Sequence, residues 1–439
     1  MTLTRADWRY LDRLQRDTFQ YFWKEANPGN GLVPDNTRKG APSSIAAVGL
    51  ALASYAVGVE RGHISRRQGA RRCATTLRFF AESAQGPEPD ATGYRGFFYH
   101  FLDLETGRRT WKCELSTIDT AILLAGALSA AAYFDGTAPE EREIRERAEE
   151  LYSRADWNWA LNGGDAVSHG WRPERGFIRY RWQGYNEALI LYVLGLGSPT
   201  HPLPEASYAA WAETYVWKKL YGYEYLHGAP LFMHQLSHLW IDFRVIQDEF
   251  MRGRGIDYFE NSRRATYVQQ QYAIRNPRRF VGYGANSWGI TAADGPGPAR
   301  RRVRGVERRF YAYKARGVPY GPDDGTLSPW AAAASLPFAP EIVLPTLRHF
   351  DRAFPQMVSH YGFKCSLNPT FPAPRTNGWI SSGYYGLDQG PIVLMIENQR
   401  SELLWRLMRR CPSVARGLRR AGFAGGWLGA ADPAHGHGA

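Results

Sequence analysis

Five acidic residues lie where predicted loops meet predicted helices. Glu114 and Asp119 bracket the start of an apolar helix, and Glu187 opens another helix after Tyr-Asn. Asp324 lies in the turn Asp-Asp-Gly-Thr, and Asp388 comes just before a further helix. Hydrolysis of a glycosidic bond needs one carboxylic acid to protonate the leaving oxygen and a second carboxylate to activate water or attack the sugar. The five residues are therefore candidate catalytic groups for that reaction.

Each of these acids also has an ordinary structural explanation. An acid at the start of a helix is commonly a cap or a partner of the helix dipole, and Asp-Asp-Gly-Thr is a common turn. However, four such junctions occur in one chain, each beside Tyr, Trp or Asn. This repetition favours a carboxylate-lined cleft over a set of unrelated caps.

Aromatic side chains in loops supply the second requirement of a sugar-binding cleft. The chain contains 15 Trp and 25 Tyr, whose flat apolar rings with polar tips suit sugar faces. Tryptophans within helical patterns are predicted to be core residues, whereas those in loops beside Arg, Asn or Gly are candidate substrate contacts. The core group is Trp8, Trp23, Trp157, Trp211 and Trp405, and the loop group is Trp111, Trp171, Trp182, Trp288 and Trp379.

His234 and His238 are four residues apart on a predicted helix, a spacing that zinc proteases use. The position that would hold the catalytic base is Gln235, which cannot accept a proton. Metal-dependent hydrolysis is therefore disfavoured, and histidines that form hydrogen bonds in a groove or core are the simpler interpretation. Because the sequence also lacks a Walker loop, a Rossmann glycine fingerprint and a GxSxG elbow, we expect no metal and no cofactor.

The formal net charge of +12 raises the question of a nucleic-acid partner. The densest basic stretch, 300–309, lies in a predicted loop bounded by Gly and Pro, without the stacking aromatics of a single-strand binder. We therefore expect no nucleic-acid partner. The stretch could instead bind an anionic or substituted glycan, or be a solvated loop.

The four cysteines are far apart and form no CxxC pair, which indicates buried thiols rather than a zinc ribbon or a disulfide scaffold. No stretch reaches the roughly 18 apolar residues of a membrane span, and the N-terminus lacks a signal-peptide pattern. The sequence as written thus predicts a cytoplasmic protein with no membrane partner, or a periplasmic one if a leader has been removed. The oligomeric state stays open.

Apolar residues recur every three and four positions along most of the chain, which predicts an all-α fold of about twelve helices. The first, capped by Thr4 or Asp7, is expected to run through Leu11 and Phe22 and to stop near 27–29. Segments 44–56 and 120–132 are apolar almost all round, as inner helices should be. With no fixed-period repeat, this favours a closed ring of six helical hairpins. The other helices are expected at about 43–60, 65–84, 116–134, 139–155, 184–195, 205–219, 232–251, 257–274, 328–351, 389–398 and 400–410.

Long loops separate these helices and carry the unusual residues. Such loops are usually functional, and one is expected to hold a short hairpin between 93–104 and 109–114. No linker divides the chain, so residues 1–430 are predicted to form a single catalytic domain and 431–439 a flexible tail. The long loops are 27–42, 86–115, 157–183, 275–327 and 361–388.

Several runs of residues occur in an order that resembles the glucoamylase-like domain family. The runs are Ser116–Ala121, Tyr185–Ala188, Gly197–Pro202, Gly282–Gly284, Trp288–Ala292 and Asp323–Thr326. That family includes bacterial endo-β-1,2-glucanases of glycoside hydrolase family 144 and a domain of cyclic β-1,2-glucan synthases. The resemblance covers residues 8–410 and indicates the family rather than the substrate.

The resemblance implies an (α/α)6 toroid with long active-site loops. It also implies an oligo- or polysaccharide partner, most simply a β-1,2-glucan, hydrolysed with inversion. Glu187 is then expected to be the general acid and Asp119 the base or water-positioning carboxylate, with Glu114, Asp324 and Asp388 in reserve. Aromatic walls are expected to raise the pKa of Glu187, since a general acid must stay protonated near neutral pH. The expected substrate contacts are Trp111, Trp182, Trp288, Trp379, Tyr185, Asn186, Tyr283 and His234.

Other functions remain as alternatives at this point. A sugar epimerase would use a histidine pair near the centre of the cleft, here His234 and His238, whereas a polysaccharide lyase would need a Tyr or His base and an Arg that neutralises a uronate. A non-catalytic glycan-binding protein would keep the loop tryptophans and tolerate loss of the acids.

Overall fold

Helices dominate the computed structural model, which describes residues 2–373 and 377–429. Short 3-10 turns occur at Leu231–His234, Leu236–Leu239, Pro355–Met357 and Gly426–Leu428. The helices are α1 (Arg5–Glu25), α2 (Ile45–Glu60), α3 (Arg66–Glu82), α4 (Thr117–Tyr133), α5 (Pro139–Arg154), α6 (Trp157–Ala160), α7 (Leu189–Gly197), α8 (Ala206–Ala212), α9 (Glu249–Arg254), α10 (Tyr258–Arg275), α11 (Pro329–Ala334), α12 (Pro340–Ala353), α13 (Gly386–Ser401), α14 (Leu403–Arg409) and α15 (Pro412–Arg420).

The strands are short and form small antiparallel sheets, the largest having the order β2-β3-β5-β6-β7. They are β1 (Ser43–Ser44), β2 (Gly93–Tyr94), β3 (Phe97–Tyr99), β4 (Phe101–Leu102), β5 (Leu115–Ser116), β6 (Gly170–Arg172), β7 (Gly176–Phe177), β8 (Trp217–Leu220), β9 (Tyr223–Leu226), β10 (Ala292–Ala293), β11 (Ala299–Val303), β12 (Val306–Phe310), β13 (Lys314–Ala315), β14 (Val358–Ser359), β15 (Gly362–Phe363), β16 (Leu367–Asn368) and β17 (Trp379–Ile380).

Five elements pack against one another in chain order: α2, α4, α7, the turn Leu236–Leu239 and α13, which returns to α2, while α11 packs on α13. Hydrogen bonds join the turn to its neighbours, because Ser237 Oγ accepts from Ile190 N of α7 and Asn398 Nδ2 of α13 donates to Leu239 O. Gln235 Nε2 adds a bond to Ala331 O of α11. Other helices cover this set from outside, for example α1 on α13 and α15 on α7. The chain is thus mostly helical, as predicted.

The inner helices are buried almost all round, as their composition predicts. Every residue from Ile45 to Gly58 in α2, and from Thr117 to Ala130 in α4, is buried. The backbones of these two helices nearly touch, because a Cβ built on Gly126 would lie 2.0 Å from Gly49 O. Glycine at both positions therefore sets the spacing of α2 and α4.

Two predicted helices are broken in the structure. The predicted helix at 232–251 is wrong, because it consists of two 3-10 turns, an irregular stretch and the short α9. Its first donor, Phe232 N, bonds outside the segment to Thr291 Oγ1, and later donors close 3-10 turns, as Gln235 N does to Phe232 O. The predicted helix at 328–351 is also divided, because Pro337 and Pro340 interrupt it and α12 begins at Pro340.

Other boundaries also differ from the sequence prediction. The helix expected at 205–219 ends at Ala212 as α8, and β8 follows, while α15 was not predicted. Thr4 does cap α1, in a capping box with Asp7. The hairpin expected near 93–114 is partly right, since Leu102 pairs with Arg109 and β3 pairs with β5. The predicted tail at 431–439 lies outside the described residues.

The arginine-rich stretch forms a β-hairpin rather than the predicted loop. Strands β11 and β12 pair with Arg300 opposite Arg309 and Arg301 opposite Arg308. Like charges directly opposite each other weaken a strand pair. Ring contacts hold the hairpin instead, because Phe310 packs on Phe371 with ring centroids 5.0 Å apart.

Within residues 2–373 and 377–429, no helix combines the length and the apolar character needed to cross a bilayer.

The contact of α2 with α4 gives a testable prediction. Gly126→Ala should lower the free energy of unfolding by about 1–3 kcal/mol, because the added methyl meets backbone and overpacks a closely fitted core. Urea unfolding would measure this. Gly253→Ala is the control, since Gly253 is exposed in α9 and has open space around its Cβ position. Gly253→Ala should leave the free energy of unfolding unchanged or raise it by up to about 1 kcal/mol. Equal urea midpoints for the two variants would contradict the prediction.

Candidate active site

A cavity of about 440 Å³ lies at the N-terminal ends of the inner elements. Asp119 and Asp388 are the third residues of α4 and α13, and Glu187 lies two residues before α7. The structure therefore brings three of the five predicted acids together. Apolar and aromatic side chains complete much of the wall, and they include Phe101, Ile118, Ile122, Phe232, Leu236, Tyr313, Trp330, Tyr385 and Leu387.

Asp119 is held by the cap of its own helix. Ser116 is the N-cap of α4, and its Oγ donates a hydrogen bond to Asp119 Oδ2 at 2.5 Å. The same Oγ accepts from Asp119 N at 3.2 Å. The serine thus fixes the carboxylate at the positive end of the helix dipole.

His100 lies between two carboxylates at the edge of this cavity. Its Nδ1 is 3.0 Å from Glu114 Oε1, and its Nε2 is 3.6 Å from Asp119 Oδ2. Burial by itself lowers the pKa of the imidazole. The charges of Asp119, Glu114 and Asp35 outweigh burial and raise that pKa to about 9. The ring is therefore an imidazolium at neutral pH.

Glu114 is a partner of His100 rather than a free acid. The hydrogen bond with His100 lowers the pKa of Glu114 to about 2, against the opposing effect of burial. Arg172 Nη2 approaches the other carboxylate oxygen at 3.3 Å. Glu114 also does not line the cavity, so this reserve candidate is not placed to donate a proton there.

Glu187 has the opposite environment. Its Oε2 atom is buried and has no hydrogen-bond partner among the described residues. Burial raises the pKa of Glu187 to about 7, and the charge of Asp119 adds to the increase. A substantial fraction of this carboxyl group is therefore protonated at neutral pH, as expected for a general acid.

Asp388 and Asp35 form a second acidic wall. Burial raises the pKa of Asp388 well above its usual range, and its Oδ2 has no partner among the described residues. Burial also raises the pKa of Asp35, although Asn36 Nδ2 donates to Asp35 Oδ2 at 2.9 Å. Gly386 N donates to Asp35 O, which ties this loop to the start of α13.

Asp324 is a structural residue, contrary to its place among the catalytic candidates. Its Oδ1 is 2.7 Å from Arg316 Nε, and both side chains are completely buried. Its Oδ2 also accepts from Tyr311 N. The ion pair anchors the loop that follows the arginine-rich hairpin. A turn sequence alone does not reveal such a partner.

Several predicted substrate contacts lie behind the cavity wall. Trp288 is completely buried in the core, which corrects its prediction as a loop contact. Trp182 is buried, and its Nε1 donates to Thr117 Oγ1. Asn186 Oδ1 accepts from Ala188 N and thereby shapes the turn before α7.

Other predicted contacts also lie outside the cavity lining. The ring of Tyr185 stacks on Tyr258 with centroids 5.7 Å apart. Trp379 is half-buried in β17. Tyr283 donates its hydroxyl proton to Asp323 Oδ1 and lines a separate, wider cavity of about 940 Å³. Of the core tryptophans, Trp157, Trp211 and Trp405 are buried as predicted, and Trp8 and Trp23 are half-buried against the core.

The histidine pair is part of the core. Burial lowers the pKa of both His234 and His238 to about 3. His234 Nε2 is 3.1 Å from Gly228 O, and His238 Nε2 is 3.0 Å from Ser262 Oγ. Residues 2–373 and 377–429 contain no group of three or more His, Cys, Asp and Glu side chains that could hold a metal ion.

A second cleft, of about 460 Å³, adjoins the cavity. Asn36 lines both, and Trp111 lines the second with 64% of its surface exposed. The ring of Trp111 rests on Phe101 at 5.1 Å between centroids, and Phe101 stacks on His100 at 3.9 Å. Trp111 is thus a predicted contact that the structure places beside the candidate site.

Sequence reasoning missed Asp35, His100, Tyr313 and Tyr385, which all line the cavity. Each lies in a long loop that was expected to be functional, so loop length was the available signal. Which residues of four separate loops meet in one cavity depends on tertiary packing.

Comparisons with known proteins identify the family of the chain. A family model described as "Glycoamylase: Putative glucoamylase" matches residues 179–412. The crystal structure of a protein of the same description from Bacteroides uniformis has a TM-score of 0.85 and 32% identity, and covers 98% of this chain and 100% of that chain. The structure of an endo-β-1,2-glucanase from Chitinophaga pinensis, in complex with sophorotriose and glucose, has a TM-score of 0.82 and 28% identity over 97% of this chain and 100% of that chain.

One curated relative is an exo β-1,2-glucooligosaccharide sophorohydrolase (non-reducing end) from Parabacteroides distasonis, 29% identical over 455 residues. The alignment covers 95% of this chain but 58% of that protein, so this chain spans little more than half the length of the curated relative. The family model covers more than half of the chain, and the Bacteroides uniformis structure aligns over nearly all of it. The protein therefore belongs to the Glycoamylase family.

Proposed function

We propose that the protein is a glycoside hydrolase that cleaves β-1,2-linked glucan with inversion. The observation that carries the proposal is the pairing of Glu187, whose pKa is about 7, with Asp119 at the cap of α4 in one cavity. The names of two relatives, an endo-β-1,2-glucanase and a β-1,2-glucooligosaccharide sophorohydrolase, support the linkage.

In this mechanism the two carboxyl groups differ because their surroundings differ. Glu187 is buried, which favours its uncharged form. It donates its proton to the glycosidic oxygen as the bond to the anomeric carbon breaks. Asp119 accepts a proton from a water molecule that attacks the same carbon from the opposite face. Inversion requires room for that water, which corresponds to a carboxyl separation of about 6.5–9.5 Å. Asp388 is the alternative base, but its burial favours the uncharged form.

We also propose that the helices form an (α/α)6 toroid and that residues 1–430 are one catalytic domain. The inner ring would consist of α2, α4, α7, the turn Leu236–Leu239, α11 and α13, with helices such as α1, α3, α5 and α15 outside. Placing the cavity at the N-terminal ends of the inner elements is consistent with this arrangement.

The second cleft supplies additional sugar-binding space in this proposal. Trp111 offers an exposed ring beside the loop that contains Asn36, and aromatic faces stabilise bound sugars by apolar contact. We propose that glucosyl units beyond those at the cleavage point lie against Trp111. The alternative of an epimerase has less support, because His234 and His238 are buried away from the cavity.

Replacing the general acid tests the activity. Glu187→Gln should lower kcat on β-1,2-glucan by about 10²–10⁴-fold, because the amide cannot donate the proton, while glucan binding persists. Product release from β-1,2-, β-1,3-, β-1,4- and β-1,6-glucans would be measured beside calorimetric binding. Glu213→Gln, at an exposed position, is the matched control and should retain full activity. Full turnover by Glu187→Gln would rule out this acid, and no cleavage by the wild type would rule out the activity.

Azide distinguishes the two candidate bases. Asp119→Asn should lose about 10²–10⁴-fold in kcat, and added azide should restore turnover because this anion attacks without deprotonation. The product of the azide reaction should be the α-glucosyl azide, which has the inverted configuration, and NMR would identify it. Asp388→Asn should not respond to azide; rescue of that variant instead would assign the base to Asp388.

Trp111 gives a prediction that depends on chain length. Trp111→Ala should raise KM for long β-1,2-glucan about five- to tenfold, as expected for loss of roughly 1 kcal/mol of ring contact. KM for the shortest cleaved oligosaccharide should stay within twofold. Tyr320→Ala, at an exposed aromatic that lines neither cavity nor cleft, should change neither value. An equal increase in KM for short and long substrates would contradict this role.

A further inference from the structure

His100 is the cationic group at the cavity that the proposed reaction does not use. Its imidazole contacts Glu114 through Nδ1 and faces Asp119 through Nε2. Glu114 belongs to the loop that leads into α4 and Asp119 to the first turn of α4, so one ring spans the loop and the helix. A side chain in this position can control the orientation of Asp119 without touching the substrate.

We propose that His100 is a positioning residue whose protonated imidazole bridges Glu114 and Asp119 and holds Asp119 as the proton acceptor for water. The proposal rests on the proposed function, because it assigns His100 a part in that reaction. His100 keeps its proton throughout the catalytic cycle, so no bond to it forms or breaks in the reaction.

The backbone and ring of His100 are both fixed. His100 N donates to Glu114 O at 2.9 Å, and His100 O accepts from Ile45 N at the start of α2. The ring stacks on Phe101 with centroids 3.9 Å apart and planes 13° apart. The imidazole therefore has little freedom to turn away from the two carboxylates.

Three carboxyl groups surround the His100 ring, and a positive charge on the ring balances them. Asp119 from α4, Glu114 before α4 and Asp35 from the 34–42 loop face His100. Arg172 from β6 reaches Glu114 from its other side. A neutral imidazole has one N–H, so it could donate to only one of its two carboxylate neighbours. The protonated ring donates to Glu114 through Nδ1 and directs its second N–H toward Asp119 Oδ2, 3.6 Å away, so its charge offsets the repulsion between the two carboxylates.

This arrangement predicts a specific change in pH dependence. The positive charge of His100 lies 3.6 Å from Asp119 Oδ2, and a cation this close to a carboxylate opposes its protonation as a general rule. The acidic limb of the kcat/KM profile should therefore move to higher pH when His100 is replaced by a neutral residue.

The test compares His100→Gln, Glu114→Gln and the double variant. His100→Gln should lower kcat about 10–100-fold, as removal of a supporting hydrogen-bond partner commonly does, with KM within about twofold. Its acidic limb should move to higher pH. Glu114→Gln should act in the same direction but less strongly. The double variant should lose little more than His100→Gln alone, because both changes break one network. His201→Gln, at an exposed histidine, is the matched control and should behave as wild type.

Three outcomes would overturn the proposal. A fall in activity with an unmoved acidic limb and an unchanged thermal midpoint would assign His100 to substrate contact, as would a change confined to KM. A fully active His100→Gln would show that the bridge is dispensable.

An NMR titration separates this proposal from the proposed function. The His100 ring signals should show an imidazolium through neutral pH in the wild type, and the titration midpoint should fall in Asp119→Asn. A neutral ring at pH 7, or an unchanged midpoint in the variant, would overturn the bridge even if the enzyme cleaved glucan. The expected titration in a protein that cleaves none of the β-glucans would leave the bridge intact and reject its part in hydrolysis.

Discussion

The inner helices are apolar on almost every side, and this constraint places the polar chemistry of the molecule at their ends. Within each of α2 and α4 the backbone groups form the hydrogen bonds of the helix itself. The two helices approach each other closely at Gly49 and Gly126. The unpaired N–H groups of the first turn need polar partners. Ser44 and Ser116 supply them, and at α4 the cap also holds Asp119. The feature that terminates a buried helix thus positions a reactive group.

The same cavity gives its acids opposite properties. Glu187 has few polar neighbours, and burial raises its pKa to about 7. Glu114 bonds to an imidazolium, which lowers its pKa to about 2. Asp119 lies between these environments, close enough to Glu187 to raise the pKa of that group and 3.6 Å from His100 Nε2. An acid and a base can therefore operate in one cavity at one pH.

The densest basic stretch of the chain lies outside the lining of this cavity. The β11–β12 hairpin places arginines opposite one another and relies on ring contacts for support, among them Arg308 over Phe280 at 4.6 Å. The residues that follow the hairpin return to the cavity, where Tyr313 contributes to the wall. The buried pair of Arg316 and Asp324 fixes that return. The exposed hairpin thus extends from a segment that the buried ion pair holds in place.

The sequence alone determined the helical class, the buried character of α2 and α4, the family, and the junctions that hold Asp119, Glu187 and Asp388. These properties depend on local periodicity and on short motifs, which a linear sequence displays. It did not determine that Asp324 pairs with Arg316, that Trp288 is core, or that 232–251 is not a helix, because each depends on contacts between distant segments. His100 and Asp35 became recognisable only when separate loops met. Their chemistry comes from burial and from the charge of neighbours, and tertiary structure alone sets both.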